Sequence, residues 1–168
     1  VLVHKSVEKE FLFMFKNRIR EFCGENPKKS EHYGRIINER HTKRLHDLIN
    51  YDKVIIGGEV DLEEKYISPT IMSQVTLEDK IMEDEIFGPI LPVISYENIN
   101  EVYGIIRKFS KPLALYLFTR NSQVEEEILR KISFGGGGVN TTILHVASGK
   151  LPFGGVGPSG IGSYHGEA

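Results

Sequence analysis

Apolar residues recur at helical spacing over the first part of the chain. Val1 to His4 alternates as a strand, Ser6 is a residue type favoured at an N-cap, and Gly24 is typical of a helix end. Between these two residues the apolar positions form one wide face, made by Val7, Phe11, Met14, Phe15, Ile19 and Phe22. The pattern predicts a strand followed by a long amphipathic helix.

Short apolar runs then alternate with helical segments. Helices are predicted from Asn38 as N-cap through 49, over 99–109 and over 122–132, and strands at 54–56, 66–73, 93–96, 113–119 and 135–140. The run LALYLFT is apolar on both faces, which is expected of a strand at the centre of a covered parallel sheet. The alternation predicts an α/β layered fold, and we expect a single domain over residues 1–168 because no repeat or linker divides the chain.

Composition narrows the class of protein. The chain has 168 residues, 40% hydrophobic and 26% charged, which is typical of a soluble globular domain. The net charge of −2 with interspersed signs favours no nucleic-acid partner, and no apolar run is long enough to cross a bilayer. A single cysteine is compatible with a reducing cytosol. Because the chain opens as a strand without an initiator methionine, we expect a piece of a longer protein.

A glycine-rich segment near the end matches the dinucleotide fingerprint G-x-G-x-x-G at Gly155, Gly157 and Gly160. A dinucleotide-binding turn needs a strand before it, a helix after it and an acidic residue about twenty positions later. The preceding SGKLP is a poor strand, Pro158 interrupts the glycines, and the chain ends eight residues after Gly160. The residues favour a loop that passes close to other backbone or adopts positive φ.

The cysteine is a candidate nucleophile and the histidines are candidate metal ligands, but the surrounding sequence disfavours both roles. Cys23 ends the first helix, where the helix dipole destabilises a thiolate, so a structural thiol is favoured over a nucleophile. The six histidines show neither an H-x-x-x-H pair nor a C-x-x-C partner, so no metal site is expected.

The loop EDEIFGP leaves two interpretations open. It is either a solvated acidic loop or a ligand site, because a carboxylate accepts two hydroxyl hydrogen bonds well and a phenylalanine two residues later can cover a flat ring. The residues concerned are Glu85 and Phe87.

Four segments in order carry a family resemblance: EDEIFGPILPV, PLALYLFTRN, GGGGVNTTILHV and LPFGGVGPSGIGSYHG. Together with GENPKKSEHYGRIIN they resemble the NAD(P)-dependent aldehyde dehydrogenase superfamily, and the SGIGSYHG ending is similar to its class 3 branch, which acts on fatty and aromatic aldehydes. The resemblance implies most of a catalytic domain, with a three-layer α/β fold, a mostly parallel sheet and helices on both faces.

The resemblance also implies roles for particular residues. Glu85 would hold the nicotinamide ribose hydroxyls and Phe87 would pack beside the nicotinamide of NAD or NADP. Phe153 would line the aldehyde pocket, with Asn140 and His145 in the loop that shapes it. The glycine segment would be a turn on the substrate side, with pyrophosphate bound elsewhere.

The departures from the family pattern concern the catalyst. In the family, the nucleophilic cysteine, which forms a thioester with the substrate, precedes the strand that opens this chain, and the general-base glutamate and coenzyme-binding half come earlier still. Cys23 follows that strand, so it does not match the nucleophile. We therefore expect no catalytic residue in this chain and no aldehyde oxidation by the chain alone.

Two alternatives remain beside an aldehyde dehydrogenase segment. One is an acyl-transferring reductase of the same superfold, against which the SYHG ending and the intact EIFGP argue. The other is a freestanding, non-catalytic module of the same fold. For the parent enzyme we expect a cytoplasmic homodimer acting on a small-molecule aldehyde. For the isolated chain we expect self-association through orphaned strands.

Overall fold

The structure, a computed structural model, describes residues 1–166 and divides the chain into two compact units, the first spanning Val1–Val102 and the second beginning at Tyr103. The prediction of a single domain over 1–168 stays a prediction. The helices are α1 (Lys5–Cys23), α2 (Glu39–His46), α3 (Ile99–Ile106), α4 (Ser122–Lys131) and α5 (Leu144–Ala147). The strands are β1 (Leu2–His4), β2 (Val54–Ile56), β3 (Val60–Asp61), β4 (Tyr66–Ile67), β5 (Thr70–Met72), β6 (Ile90–Pro92), β7 (Ile94–Tyr96), β8 (Ala114–Leu117) and β9 (Gly136–Val139).

The first unit contains three small sheets. β1 pairs with β7 in parallel, and β5 lies between an antiparallel β2 and a parallel β6. β3 and β4 form an antiparallel hairpin. The core of the first unit includes Val3, Ile71 and Val93, each less than 10% exposed. Side chains of α1 pack against these residues, among them Phe11, Phe15 and Ile19.

The long first helix is confirmed, but two details differ from the prediction. His4 is the N-cap instead of Ser6, because its Nδ1 accepts from the Ser6 amide. The predicted apolar face is only partly covered, since Val7, Met14 and Phe22 are 47%, 51% and 67% exposed. The helical period alone does not tell how wide a stripe the neighbouring sheet covers.

Most remaining elements fall where the sequence places them, with shifted ends. Asn38 caps α2, with its side chain accepting from the His41 amide at 2.9 Å, but α2 ends at His46, not at 49. The predicted strand 66–73 is two strands, separated by the Ser68-Pro69 pair. β6 and α5 lie in segments for which no strand or helix was predicted.

In the second unit β8 and β9 pair in parallel, from Ala114 with Gly136 to Leu117 with Val139. The expectation that LALYLFT is covered on both faces is wrong for the described residues, because β8 pairs only with β9 and Phe118 is 64% exposed. Three of the five strand pairs among residues 1–166 are parallel, so the α/β fold class is confirmed, with the parallel pairs spread over separate small sheets. No helix in residues 1–166 is long and apolar enough to span a bilayer.

Candidate functional site

The loop before β6 presents the two residues predicted to contact the cofactor. Glu85 is exposed, and no hydrogen bond or ion pair engages its carboxylate within residues 1–166. The Phe87 ring is 78% exposed, and its backbone is left-handed with φ of 45°. Few residues other than glycine adopt that backbone conformation, which costs about 1 kcal/mol or more. It persists only where neighbouring structure holds it in place.

Three contacts hold this loop from both sides. Arg44 of α2 donates from Nη2 to the carbonyl oxygen of Ile86 at 2.5 Å. Gly88 lies on the fully buried Leu45, so closely that a Cβ at Gly88 would come 2.5 and 2.6 Å from the two Leu45 methyl groups. The Thr70 amide donates to the Pro89 carbonyl at 2.9 Å, where the chain enters β6. The exposed side chains therefore stand on a backbone fixed by α2 and β5.

The residues that hold the loop were missed by sequence reasoning. The helical pattern of α2 predicts neither the contact of Leu45 with Gly88 nor the hydrogen bond from Arg44 to Ile86. The single available signal was Gly88 within EIFGP, because a glycine in such a loop often marks a close approach of backbone to a neighbouring group.

In the second unit, His145 and Phe153 lie together. Their ring centroids are 6.1 Å apart, and the centroid of the Tyr116 ring lies 5.6 Å from that of His145. His145 is 9% exposed, and both its ring nitrogens are buried without a hydrogen-bond partner among the described residues. Gly136 makes room for this ring, since a Cβ there would come 2.7 Å from His145 Cδ2.

Phe153 is also fixed by backbone hydrogen bonds. Its amide and carbonyl exchange two bonds of 2.7 Å with Tyr164, forming an isolated antiparallel bridge. The loop that carries Phe153 is therefore closed on itself, and the aromatic group of Tyr116, His145 and Phe153 packs on the β8–β9 pair.

Asn140 does not join this aromatic group. It follows β9 with φ of 55°, and its side chain bridges to Thr119, accepting from the Thr119 amide at 3.0 Å and donating to the Thr119 carbonyl at 2.9 Å. Both polar ends of the amide are thus used within the fold. The pocket role of Asn140 stays a prediction that this geometry does not favour.

The glycine segment forms a closed turn. Gly157–Ser159 is a single 3-10 turn, and Ser159 Oγ accepts from the Val156 amide at 2.8 Å. A Cβ at Gly155 would come 2.2 Å from the Ser159 carbonyl oxygen. The glycines therefore allow backbone segments to approach each other, in agreement with the sequence interpretation, and the strand–turn–helix frame of a dinucleotide site is not formed there.

Cys23 is a half-buried free thiol at the last residue of α1, where the Gly24 amide caps the Arg20 carbonyl. Nearby, burial raises the pKa of the Tyr33 phenol, whose hydroxyl donates to the Ile67 carbonyl at 2.8 Å. No group of three or more His, Cys, Asp or Glu side chains within residues 1–166 is arranged to hold a metal ion.

Comparison with known proteins identifies the class. The model of the aldehyde dehydrogenase family matches residues 1–168, and the chain belongs to that family. It is 44% identical over 169 residues to 4,4'-diaponeurosporen-aldehyde dehydrogenase of Staphylococcus aureus, covering 99% of this chain and 37% of that protein. It is 41% identical over 167 residues to the dimeric NADP-preferring aldehyde dehydrogenase of Bos taurus, covering 99% of this chain and 70% of that sequence.

A solved structure agrees with the sequence comparison. The substrate-bound state of Staphylococcus aureus AldH superposes with a TM-score of 0.95 at 44% identity, covering 99% of this chain and 37% of that one. The predicted family resemblance is therefore confirmed. The chain spans about a third of the length of the first curated relatives it matches, between 32% and 37%.

Proposed function

We propose that this chain is the part of an NAD(P)-dependent aldehyde dehydrogenase that orients the nicotinamide end of the coenzyme and forms one wall of the aldehyde pocket. The observation that carries the proposal is the loop before β6. There an exposed carboxylate and an exposed aromatic ring stand two residues apart on a backbone held by Arg44, Gly88 and Thr70.

The residues present fit the coenzyme. Glu85 is exposed and makes no contact within residues 1–166 that competes for its oxygens, so it can accept both hydroxyls of a ribose. Phe87 offers a ring face that can pack beside a flat heterocycle. When bound, NAD or NADP supplies the acceptor for the hydride that leaves the aldehyde carbon.

The role of this chain in that reaction is positioning. Fixing the acceptor ring relative to the reacting carbon contributes by orientation, which is worth several powers of ten when geometry is near that of attack. The fixed backbone of residues 85–89 serves this purpose, because a mobile loop would lose part of that gain. Phe153, held by His145 and by the Tyr164 bridge, would form a firm wall for the aldehyde.

The test is an assay of the full-length protein that contains this segment. We expect an aldehyde to be converted to the carboxylic acid with one equivalent of reduced nicotinamide coenzyme. Reduction of an acyl phosphate or acyl-CoA as the only activity would favour the acyl-transferring reductase, and acid formation that requires no nicotinamide coenzyme would contradict the proposal. Absence of either reaction would favour the non-catalytic module.

We also propose that the 168-residue chain alone is inactive. Cys23 is half-buried at a helix C-terminus, which is a poor environment for a thiolate nucleophile. Coenzyme reduction by the isolated chain that is abolished by Cys23→Ser would contradict this.

For the assembled protein we propose a cytoplasmic homodimer, and for the isolated chain self-association. The second proposal is supported by β1, which pairs only with β7 within residues 1–166, and by Phe118, which is 64% exposed beside β8. Light scattering over a wide concentration range tests it, and a strictly monomeric chain at high concentration would contradict it.

A further inference from the structure

A basic groove lies in the second unit, away from the aromatic group around His145 in sequence and lined by none of its residues. It has a volume of about 210 Å³ and is formed where α3 ends, where the following loop turns, and where α4 ends. Its apolar lining includes Tyr103 and Ile132, which are 7% and 9% exposed, and Phe109, which is 44% exposed. The volume is below that of pockets for drug-sized ligands, so any occupant is small.

Three cations line the same groove: Arg107, Lys111 and Lys131. Lys131 lies 4.9 Å above the Tyr103 ring centroid and is paired with Glu127 at 2.8 Å. Arg107 and Lys111 are exposed, and their side chains form no ion pair or hydrogen bond with any residue in 1–166. Two cations in the groove are therefore available to an added anion.

The charge balance favours an anion despite the helix ends. Within residues 1–166 the lining contains three cations and no carboxylate, and one of the cations, Lys131, is already paired with Glu127. The C-termini of α3 and α4 contribute about half a negative charge each, so roughly one positive charge remains from Arg107 and Lys111. Basic residues that only neutralised the two helix ends would leave no such excess.

The donors suit one anion in particular. Besides the cations, the groove is lined by Ser110 and Ser133, which supply hydroxyl groups. A phosphate monoester carries three peripheral oxygens and a charge near −2, whereas a carboxylate offers two oxygens and one charge. An arginine fork with one unpaired lysine and two hydroxyls satisfies the phosphate more completely.

We propose that this groove binds a phosphate monoester carried on a small apolar or aromatic body, at a site distinct from the aldehyde and coenzyme residues. The phosphate would contact Arg107 and Lys111, and the body would lie on Phe109, which is 44% exposed in the same lining. The site does not depend on the dehydrogenase activity, so its test is a binding measurement.

The experiment is calorimetric titration of the full-length protein with phenyl phosphate, in parallel with phenol and with inorganic phosphate. Phenyl phosphate should bind about tenfold more tightly than inorganic phosphate, because the apolar floor adds to the charge, and phenol should not bind measurably. Arg107→Gln and Lys111→Gln should each weaken binding about tenfold. The matched control is Arg120→Gln, an exposed arginine of the same unit that does not line the groove, and it should leave binding within about twofold.

Other outcomes overturn the proposal. Equal binding of phenyl phosphate and inorganic phosphate would remove the role of the apolar floor, and equal loss in Arg107→Gln and Arg120→Gln would show a diffuse charge effect. Binding to vesicles containing phosphatidic acid without binding of phenyl phosphate would assign the surface to a lipid. If Arg107→Gln alters the far-ultraviolet circular dichroism, Lys111→Gln decides, since Lys111 is an exposed loop residue.

Discussion

The backbone of Gly88 rests on the side chain of Leu45, with so little space that a Cβ at residue 88 would come 2.5 Å from Leu45 Cδ2 and 2.6 Å from Cδ1. Leu45 is 0% exposed, so its methyl groups are packed on every side and cannot withdraw freely. This contact, together with the Arg44 and Thr70 hydrogen bonds, fixes the position of the loop that presents Phe87.

We expect Gly88→Ala to lower the free energy of unfolding by about 1–3 kcal/mol, because it overpacks a filled site. The matched control is Gly34→Ala, where an added Cβ meets nothing within 4 Å, and it should be neutral or slightly stabilising. Urea denaturation followed by circular dichroism measures both. Equal stability of the two variants would mean that Leu45 yields and that the loop is not fixed by this contact.

The Arg44 contact predicts local order in the same loop. Arg44→Gln removes the charged donor to the Ile86 carbonyl and should lower the free energy of unfolding by about 1 kcal/mol. It should also raise the rate of amide hydrogen exchange in residues 84–88. Lys43→Gln is the control, because Lys43 is the neighbouring exposed cation and its side chain forms no hydrogen bond or ion pair within residues 1–166. Unchanged exchange in Arg44→Gln would show that the loop is held without it.

Replacement of the buried His145 by an apolar residue is predicted not to destabilise the fold. Because both of its nitrogens are buried and unpaired in the described residues, His145→Leu should leave the free energy of unfolding unchanged or raise it by about 1 kcal/mol. His4→Leu should instead lower it by about 1 kcal/mol, since His4 caps α1 and contacts Ser6 Oγ at 2.7 Å. In the full-length enzyme, His145→Leu should change the KM for bulky aldehydes through Phe153. A loss of stability in His145→Leu as large as in His4→Leu would reveal a partner for its nitrogens.

The pair of Lys53 and Asp79 predicts a dependence of stability on pH. The Lys53 ammonium, 2.5 Å from Asp79 Oδ2, and the Thr76 amide lower the pKa of the Asp79 carboxyl below its ordinary value of 3.8. Since the folded pKa lies below the unfolded pKa, the pair stabilises the fold above about pH 4, and this contribution is lost as the pH falls through the folded pKa.

Asp79→Asn should therefore lower the free energy of unfolding by about 1 kcal/mol near neutral pH and flatten its decline below about pH 4. Asp52→Asn, at an exposed carboxylate, is the control for the change in net charge. Parallel acid titrations of stability in the wild type and Asp79→Asn, with no convergence at low pH, would contradict the assignment.

The sequence predicts those features that depend on neighbouring residues along the chain. Asn38 caps α2 because its side chain reaches the amide three residues on, and the Gly155–Gly160 segment forms a turn because proline and glycine exclude a helix there. The EIFGP loop could be singled out by its composition and then assigned a role by resemblance.

The features that escaped prediction depend on contacts distant in sequence. Arg44 reaches Ile86 across 42 positions, and periodicity in α2 contains no information about that carbonyl. His145 is buried because Gly136, Tyr116 and Phe153 enclose it, and α5 forms although four residues have little helical preference alone. The exposure of β8 likewise depends on which strands flank it, and no local pattern specifies that.

The most direct test of the proposed function is the rate of hydride transfer in a single turnover of the full-length enzyme carrying Glu85→Gln. If Glu85 holds the ribose and thereby orients the nicotinamide, this rate should fall about 10- to 100-fold, the equivalent of losing 1–3 kcal/mol from a hydrogen bond to a charged group, while the KM for aldehyde changes little. Glu83→Gln, at an exposed carboxylate two residues earlier in the same loop, should leave the rate within about twofold. An unchanged hydride-transfer rate in Glu85→Gln would contradict the assignment of this loop to the coenzyme.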